Sequence, residues 1–186
     1  MAERRLTREI AEQFLADDET VDMMGFTVID DAAAEVLSKY DGKMLALPSL
    51  ASLSDAAAAS LGRVFYLTLG LETLSSKQAL LLTNNNYYEN PLDNITDRFE
   101  DPIGLQYRSI AYRSFPYLEE LESDVAQVLG NSRADLCLDG LASLSDAAME
   151  SLSKHGNDLS LGGLTSLSDA AAENLSKHEG YLGLTG

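Results

Sequence analysis

Residues Leu141–His155 read LASLSDAAMESLSKH, and 23 residues later the chain repeats this pattern as LTSLSDAAAENLSKH over Leu164–His178. The apolar residue in front of the Ser-Asp position recurs in phase along the chain, at spacings of 21 to 24 residues apart from one gap of 47. Repetition at a period of about 20–50 residues is the signature of repeat architectures, so we predict one repeat-array domain over residues 1–186. The residues that mark the phase are Leu6, Ile29, Leu53, Leu74, Leu121, Leu144 and Leu167.

Each copy predicts a short strand, a turn and a short helix. Leu159–Leu161 alternates in the manner of a strand, and Gly162–Gly163 provides the turn. Ser168 is the predicted N-cap of the following helix, because a serine hydroxyl accepts a hydrogen bond from a free amide of the first turn. The helix is expected to bury small residues, to carry cations in its last turn and to end at a left-handed glycine. These residues are Ala170, Ala171, Ala172 and Leu175, then Lys177 and His178, and then Gly180.

The N-terminal copies are degenerate but keep the phase. Thr7 stands at the capping position, and Ile10 and Phe14 occupy inward positions of the helix. Residues Val21–Phe26 match Leu159–Leu164 position by position, so we predict the same strand and turn there. No separate N-terminal domain is needed.

A copy of this size cannot bury its apolar side alone, so we expect successive copies to stack. Their strands would then lie about 4.8 Å apart in a parallel ribbon. The helices would connect these strands by right-handed crossovers. The pattern L-x-L-x-G-L-x-S-L-S-D-A-A-x-E-x-L-S-K-H resembles short leucine-rich repeats of large bacterial proteins of planctomycete type. The resemblance covers residues 6–82 and 113–186, and it implies an α/β solenoid with the ribbon on one face and helices on the other. It does not extend to the usual asparagine ladder, because that place is taken by Gly140, Gly163 and Gly186.

Residues 83–112 match no copy and differ in composition from the regular copies. The stretch from 83 to 117 holds seven of the thirteen aromatic residues and three of the four prolines. Two interpretations stay open: the aromatic residues form a satellite core under a long loop, or the segment binds a protein partner. Tyrosine and arginine are the residues that interfaces favour as anchors. The predicted partner-binding residues are Tyr87, Tyr88, Arg98, Phe99, Tyr107, Arg108, Tyr112 and Arg113.

The repeat register also predicts which side chains lie on the open face of the ribbon. Most of them are small, so we expect the ribbon to act as a spacer while the irregular segment contacts the partner. The predicted occupants are Asp22, Met24, Ala46, Pro48, Thr68, Gly70, Ser114, Pro116, Cys137, Asp139, Ser160, Gly162, Gly183 and Thr185.

The charge balance restricts the class of partner. Thirteen Lys and Arg stand against thirty Asp and Glu, a formal net charge of −17. Sequence-independent binding to DNA, RNA or an anionic membrane is excluded, because it needs cations to replace counterions. We expect instead a protein partner with a basic surface. The alternative is an acidic inhibitor that imitates nucleic acid, as anti-restriction and anti-CRISPR proteins do, with Asp146, Glu150, Asp169 and Glu173 forming a stripe on the helices.

The sequence contains no residue pattern that is diagnostic of an enzyme, a cofactor site or a metal site. His155 and His178 share one repeat position, so we predict that they lie one above the other, roughly 5–10 Å apart, as exposed residues near helix C-termini. A zinc or catalytic histidine pair is the alternative. Cys137, the single cysteine, is expected on the open face. The acidic residues Asp93, Asp97, Glu100 and Asp101 lack the spacing of a calcium loop and are interpreted as solvated.

Two further features concern location and assembly. No apolar stretch approaches the length of about 18 residues that a membrane helix needs, and the start of the chain lacks the apolar core of a signal peptide. We therefore expect a cytoplasmic protein. The last copy ends at Leu182–Gly186 without a polar capping unit, and a bare terminal strand leaves an unpaired edge. We expect either a fragment of a longer array or a homodimer formed through this copy.

Overall fold

Short strands and short helices alternate along the chain. The structure is a computed structural model that describes residues 3–42, 44–84 and 110–184. The strands in this part of the chain are β1 (Arg5–Leu6), β2 (Val28–Ile29), β3 (Leu45–Leu47), β4 (Tyr66–Leu69), β5 (Tyr112–Ser114), β6 (Asp135–Cys137), β7 (Leu159–Ser160) and β8 (Leu182–Gly183). The helices are α1 (Arg8–Ala16), α2 (Asp31–Leu37), α3 (Asp55–Leu61), α4 (Ser76–Thr83), α5 (Ser123–Gly130), α6 (Asp146–Leu152) and α7 (Asp169–Leu175), with a 3₁₀ turn at Met23–Gly25.

Six strands form one parallel sheet, and their order in the sheet, from β3 to β8, is their order in the chain. The strands β1 and β2 form a separate parallel pair. A helix follows each of the strands β3 to β7, and each helix packs against the next helix in sequence, from α1 to α7. The predicted α/β class with a parallel sheet is therefore confirmed.

Leucines from the strands and small residues from the helices form the core. In β4, Leu67 and Leu69 are buried, whereas the residues between and before them are not. In α3, Ala57, Ala58 and Leu61 are completely buried. Two adjacent alanines on the buried side let the helix backbone approach its neighbours closely. A helix of only seven residues can therefore pack against the core of a short copy.

The last helix buries fewer residues than predicted. Ala171 and Leu175 are buried, but Ala170 and Ala172 are exposed. The residue equivalent to Ala172 in the preceding helix is Met149, which is buried because α7 packs against α6. Among the described residues, no helix covers the corresponding side of α7.

Serine caps begin several helices as predicted. The Ser168 hydroxyl accepts a hydrogen bond from the Ala171 amide at 3.0 Å, and Ser54 and Ser145 make the equivalent contact. The prediction for Thr7 is wrong in its chemistry. Thr7 occupies the N-cap of α1, but its hydroxyl donates to Glu9 at 2.7 Å and makes no capping hydrogen bond.

The end of the last helix also differs from the prediction. Helix α7 ends at Leu175, so Lys177 and His178 follow the helix instead of lying in its last turn. Gly180 does not adopt the predicted left-handed conformation, because the helix already ends at a right-handed Ser176. A glycine is needed at 180 for a different reason: a Cβ there would collide with the carbonyl oxygen of Asn157 in the preceding copy.

The predicted strand within Val21–Phe26 is wrong. Residues Met23–Gly25 form a 3₁₀ turn that packs against β3, and Met23 is buried. The Asp22 carboxylate accepts a hydrogen bond from the Met24 amide at 3.0 Å. Met24 matches Gly162, so this contact lies at the predicted turn, and the turn begins one residue earlier than predicted, at Met23.

Direct backbone contact between successive copies explains the glycines that follow the strands. A Cβ on Gly163 would collide with the carbonyl oxygen of Asp139, and a Cβ on Gly140 would lie 2.6 Å from the carbonyl oxygen of Pro116. The space that a side chain at Gly140 or Gly163 would occupy is therefore filled by the backbone of the preceding copy. Gly186 lies outside the described residues.

Candidate functional site

One side of the six-stranded sheet, which we call the open face, carries side chains that the helices leave uncovered. One residue of each strand faces this side and pairs with the equivalent residue of the next strand. The predicted row of small residues is confirmed in register, although Ser114 is almost fully buried. This row consists of Ala46, Thr68, Ser114, Cys137, Ser160 and Gly183.

Some of the other predicted occupants of the open face lie elsewhere. Asp22 and Met24 belong to the 3₁₀ turn and its cap, where no sheet strand forms. Gly70 is buried, because its backbone lies against the carbonyl of Pro48. Thr185 lies outside the described residues.

A second row on the open face was missed, and it carries the large side chains. It lies two residues before the first row, and side chains two residues apart along a strand point to the same face. Tyr66 pairs with Tyr112, and Tyr112 pairs with Asp135. The same register continues to Met44 on one side and to Asp158 and Tyr181 on the other. The prediction of small side chains on the open face therefore holds for the first row and not for the second.

Three members of the second row lie at neighbouring positions, and we call them the open-face cluster: Met44, Tyr66 and Tyr112. The side chains of Met44 and Tyr66 are 48% and 38% exposed, so both are accessible to a partner. The Thr68 hydroxyl donates to the Met44 sulfur at 3.7 Å, which holds the flexible methionine against the sheet. Phe65 packs edge-on against Tyr66 with ring centroids 4.8 Å apart.

Tyr112 joins the cluster to a chain of polar contacts across strands β5 to β7. Burial, followed by contact with Cys137, raises the pKa of Tyr112 to about 12, so its hydroxyl stays protonated. The Cys137 thiol donates to Asp139 at 3.3 Å, and Asp139 also accepts from the Ser160 hydroxyl at 2.6 Å. Partial burial works to raise the pKa of Asp139, but the hydrogen bonds that it accepts lower the pKa overall.

Aspartates at the start of the strands form a ladder between copies. The Asp135 carboxylate accepts from the Asp158 amide at 3.1 Å, and the Asp158 carboxylate accepts from the Tyr181 amide at 3.0 Å. Burial, together with the charge of Asp158, raises the pKa of Asp135, although the hydrogen bond from the Asp158 amide opposes this shift. These hydrogen bonds join three successive copies through the residues at the start of their strands.

Arg113 does not lie where a surface anchor must lie, and this corrects the prediction. Its side chain is completely buried, at the position that leucine occupies in the neighbouring strands. The guanidinium donates to the carbonyl oxygens of Leu82, Gly62, Phe65 and Tyr112 at 2.7 to 2.9 Å. A partner on the surface cannot reach this group.

The other predicted partner-binding residues have different outcomes. Tyr112 is half-buried and belongs to the open-face cluster. The remaining members of the predicted set lie outside the described residues, as do the acidic residues between 93 and 101. Those members are Tyr87, Tyr88, Arg98, Phe99, Tyr107 and Arg108.

The predicted histidine stack is confirmed, but its predicted exposure is wrong. The rings of His155 and His178 are 6.3 Å apart and within 13° of parallel. His155 is only 1% exposed, because it follows the end of α6 and is covered by the next copy. Among the described residues, neither nitrogen of either ring has a hydrogen-bond partner of normal geometry.

This geometry does not favour a metal ion between the two rings. The lone pair of an imidazole nitrogen lies in the ring plane, so two parallel stacked rings do not direct their lone pairs to one point between them. Within residues 3–42, 44–84 and 110–184, no three His, Cys, Asp or Glu side chains come together as a metal site.

The buried histidine predicts how stability depends on pH. Desolvation, followed by the charge of His178, lowers the pKa of His155, and nearby backbone groups of Ala134, Asp158 and Gly130 offset part of this shift. In the unfolded chain a histidine has a pKa of about 6.5. As the pH falls through that value, the unfolded state takes up a proton that the folded state resists, so stability is lost. Above it, both states are neutral at this site and the full stability is present.

We expect the free energy of unfolding to fall between about pH 7 and pH 5.5, before most carboxylates titrate. Urea unfolding at several pH values measures this dependence for the wild type, for His155→Gln and for His178→Gln. His155→Gln should flatten the dependence. His178→Gln should keep most of it, because burial is the larger cause of the shift. Equal slopes in the wild type and in His155→Gln would contradict the assignment.

No helix in the described ranges has both the length and the apolar character that crossing a bilayer requires. Comparison of the chain with family models, with curated proteins and with solved structures found no match in any of the three.

Proposed function

We propose that this chain is a non-enzymatic protein–protein interaction module that binds a partner through the open-face cluster and the adjoining irregular segment 83–112. The observation that carries the proposal is the row of large side chains on the open face. Met44, Tyr66 and Tyr112 stand side by side at strand spacing, where the helices do not cover them.

We infer that the module is built as a solenoid similar to leucine-rich repeats. The strand order supports this, because each strand of the sheet neighbours the strands next to it in sequence. Backbone hydrogen bonds between equivalent positions of successive copies support it too: the Thr27 amide donates to the Arg4 carbonyl oxygen, and the Ala51 amide donates to the Thr27 carbonyl oxygen. The Thr165 amide likewise donates to Ala142. Contacts that join only successive copies are typical of solenoids.

The chemistry of the cluster suits a protein surface with both apolar and basic groups. Tyrosine contributes a large apolar ring and a hydroxyl with little loss of conformational entropy, which explains its enrichment at interface hot spots. The carboxylates of Asp135, Asp139 and Asp158 lie beside the cluster and favour a basic partner.

The position of the irregular segment supports a shared binding surface. Tyr112 is the first residue of β5, and Tyr66 is the first residue of the neighbouring β4. The segment 83–112 therefore leads directly into the cluster. Its tyrosine Tyr107 is five positions from Tyr112 in the sequence.

The test compares two double variants in a quantitative affinity capture. Met44→Ser with Tyr66→Ser removes exposed parts of the cluster, and Leu15→Ser with Leu80→Ser removes equally exposed side chains from α1 and α4. The captured protein is then purified and titrated against each variant. We expect the cluster variant to raise the Kd by about 10-fold or more, and the helix variant to leave it nearly unchanged. Equal affinities for both variants would overturn the role of the open face.

A second variant tests the irregular segment. Residues 85–109 are replaced by a short Gly/Ser linker, which leaves Arg113 and the cluster in place. Loss of the same partner would support the shared surface. Undiminished affinity would remove the segment from the proposal.

Salt distinguishes this function from the alternative of an acidic nucleic-acid mimic. Glu150 is paired with Lys154 at 3.2 Å, and Glu173 is paired with Lys177 at 3.4 Å, which reduces the charge of the stripe that a mimic would use. A mimic should lose its partner steeply as salt rises, because its binding depends on charge alone. Capture of a DNA-binding protein only at low salt would favour the mimic.

A further inference from the structure

The last strand of the sheet, β8, exposes apolar side chains whose counterparts are buried in every neighbouring copy. Leu184 is 44% exposed, whereas the equivalent residues Leu161 and Leu138 are completely buried. Leu182 is half-buried, whereas its equivalent Leu159 is completely buried. In the earlier copies the next copy covers these positions, whereas within the described residues β8 is one of the two outer strands of the sheet.

In β8, the backbone N–H and C=O groups that do not face β7 belong to Leu182. The carbonyl oxygens of Tyr181 and Gly183 accept hydrogen bonds from Leu159 and Leu161 at 2.8 Å, so these two residues turn their polar groups toward β7. Successive residues of a strand point their backbone groups to opposite sides. The N–H and the C=O of Leu182 therefore point away from the sheet, as a donor and an acceptor on one residue.

We propose that two copies of this chain pair through β8, antiparallel and about a two-fold axis at Leu182. In this arrangement the Leu182 N–H of each copy donates to the Leu182 carbonyl of the other, which is the hydrogen-bonded pair of an antiparallel ladder. The pairing is self-complementary, as a two-fold interface requires. It joins the two six-stranded sheets into one continuous sheet.

The side chains fit the same axis. With Leu182 opposite its own copy, Tyr181 stands opposite Gly183 of the other chain, and Leu184 stands opposite Gly180. Tyr181 is 70% exposed, the largest value among the exposed large apolar side chains. An aromatic ring that covers a glycine on the paired strand is a known way to stabilise an exposed glycine in a sheet. Each bulky exposed residue of the edge thus meets a position without a side chain.

The test measures self-association of the full chain by analytical ultracentrifugation over a range of concentrations. The wild type is expected to form a dimer, and Tyr181→Lys is expected to weaken it by about 10-fold or more, because a charge at an edge strand opposes pairing. This variant also lowers the net negative charge of −17, so the loss cannot come from added repulsion. Salt should tighten the wild-type dimer by screening that repulsion.

Two controls locate the interface. Hydrogen exchange should show protection of the Leu182 amide that rises with protein concentration. Met24→Lys changes another exposed apolar residue, in the turn that packs against β3 at the other end of the sheet, and should leave the dimer intact. Loss of association in Met24→Lys would indicate head-to-tail contact and overturn the two-fold pairing.

The remaining outcomes also decide the question. A wild type that stays monomeric at all concentrations would overturn the proposal. So would a monomer that dimerises only after residues 85–109 are replaced, since the chain's own segment would then cover the edge. These outcomes are independent of partner binding at the open-face cluster.

Discussion

Replacing Arg113 by leucine is expected to destabilise the fold by about 3–5 kcal/mol, because it leaves buried groups without partners. The result runs against the repeat pattern, since leucine is the residue at the paired positions Leu67 and Leu136. A substitution that restores the consensus residue would therefore damage the protein.

The reason is the set of carbonyl oxygens that the guanidinium satisfies. Nε donates to Leu82 at 2.7 Å, and Nη2 donates to Gly62 at 2.8 Å. Leu82 lies in the last turn of α4, and Gly62 caps α3, so both carbonyls belong to helix C-termini, which carry partial negative charge. Leucine fills part of the volume but cannot donate to any of these oxygens. Each buried carbonyl left unpaired costs about 1–3 kcal/mol.

Urea unfolding followed by circular dichroism measures the effect. Arg8→Leu is the matched control, because Arg8 is well exposed on α1 and its ion pair with Glu12 is on the surface. The control should stay within about 0.5 kcal/mol of the wild type. Arg113→Lys should recover little of the loss, because one ammonium group cannot span the carbonyls that the planar guanidinium reaches. An Arg113→Leu protein as stable as the wild type would contradict the assignment.

Gly163→Ala is expected to destabilise the fold by about 1–3 kcal/mol through overpacking between copies. The added methyl would strike the carbonyl oxygen and carbon of Asp139, which belong to the backbone and cannot rotate away. The copies must then separate locally, and this disturbs the hydrogen bonds that the Asp139 carboxylate accepts from the Ser160 hydroxyl and the Gly162 amide.

Gly156→Ala is the control for this effect. A Cβ on Gly156 would meet nothing within 4 Å, and its backbone is not left-handed. We expect no loss of stability at this position, because alanine also restricts the unfolded chain. The same urea titration compares both variants. Equal losses at 156 and 163 would show that contact with the preceding copy is not the cause.

The regular part of the fold could be predicted because its signals are local and repeated. The alternation of leucines, the serine caps and the phase of 23 residues fixed the strands, the helices and the histidine stack. At Val21–Phe26 the pattern predicted the turn but also a strand in front of it, because the apolar spacing does not show that Asp22 caps a turn that begins at Met23.

The candidate site was predicted only in part, because it depends on contacts between copies. An arginine side chain is usually exposed, so the residue type alone predicts a surface position for Arg113. Its burial depends on hydrogen bonds to carbonyl oxygens that lie 31 and 51 positions earlier in the chain. The row of Met44, Tyr66 and Tyr112 did have a signal in the sequence. It lies two positions before the small residues that the repeat register identified, and the alternation of a strand places both rows on one face.

The carbonyl–glycine contact between copies also bears on how such a chain can change its length during evolution. The carbonyl oxygen of Asp139 lies against Gly163 in the same way that the carbonyl oxygen of Pro116 lies against Gly140. The same contact therefore joins one pair of copies and the next. If unequal recombination duplicated one 23-residue segment, the glycine of each new copy would again lie against a backbone carbonyl of the copy before it. The sheet would lengthen by one rung of about 4.8 Å, and the older junctions would keep their geometry.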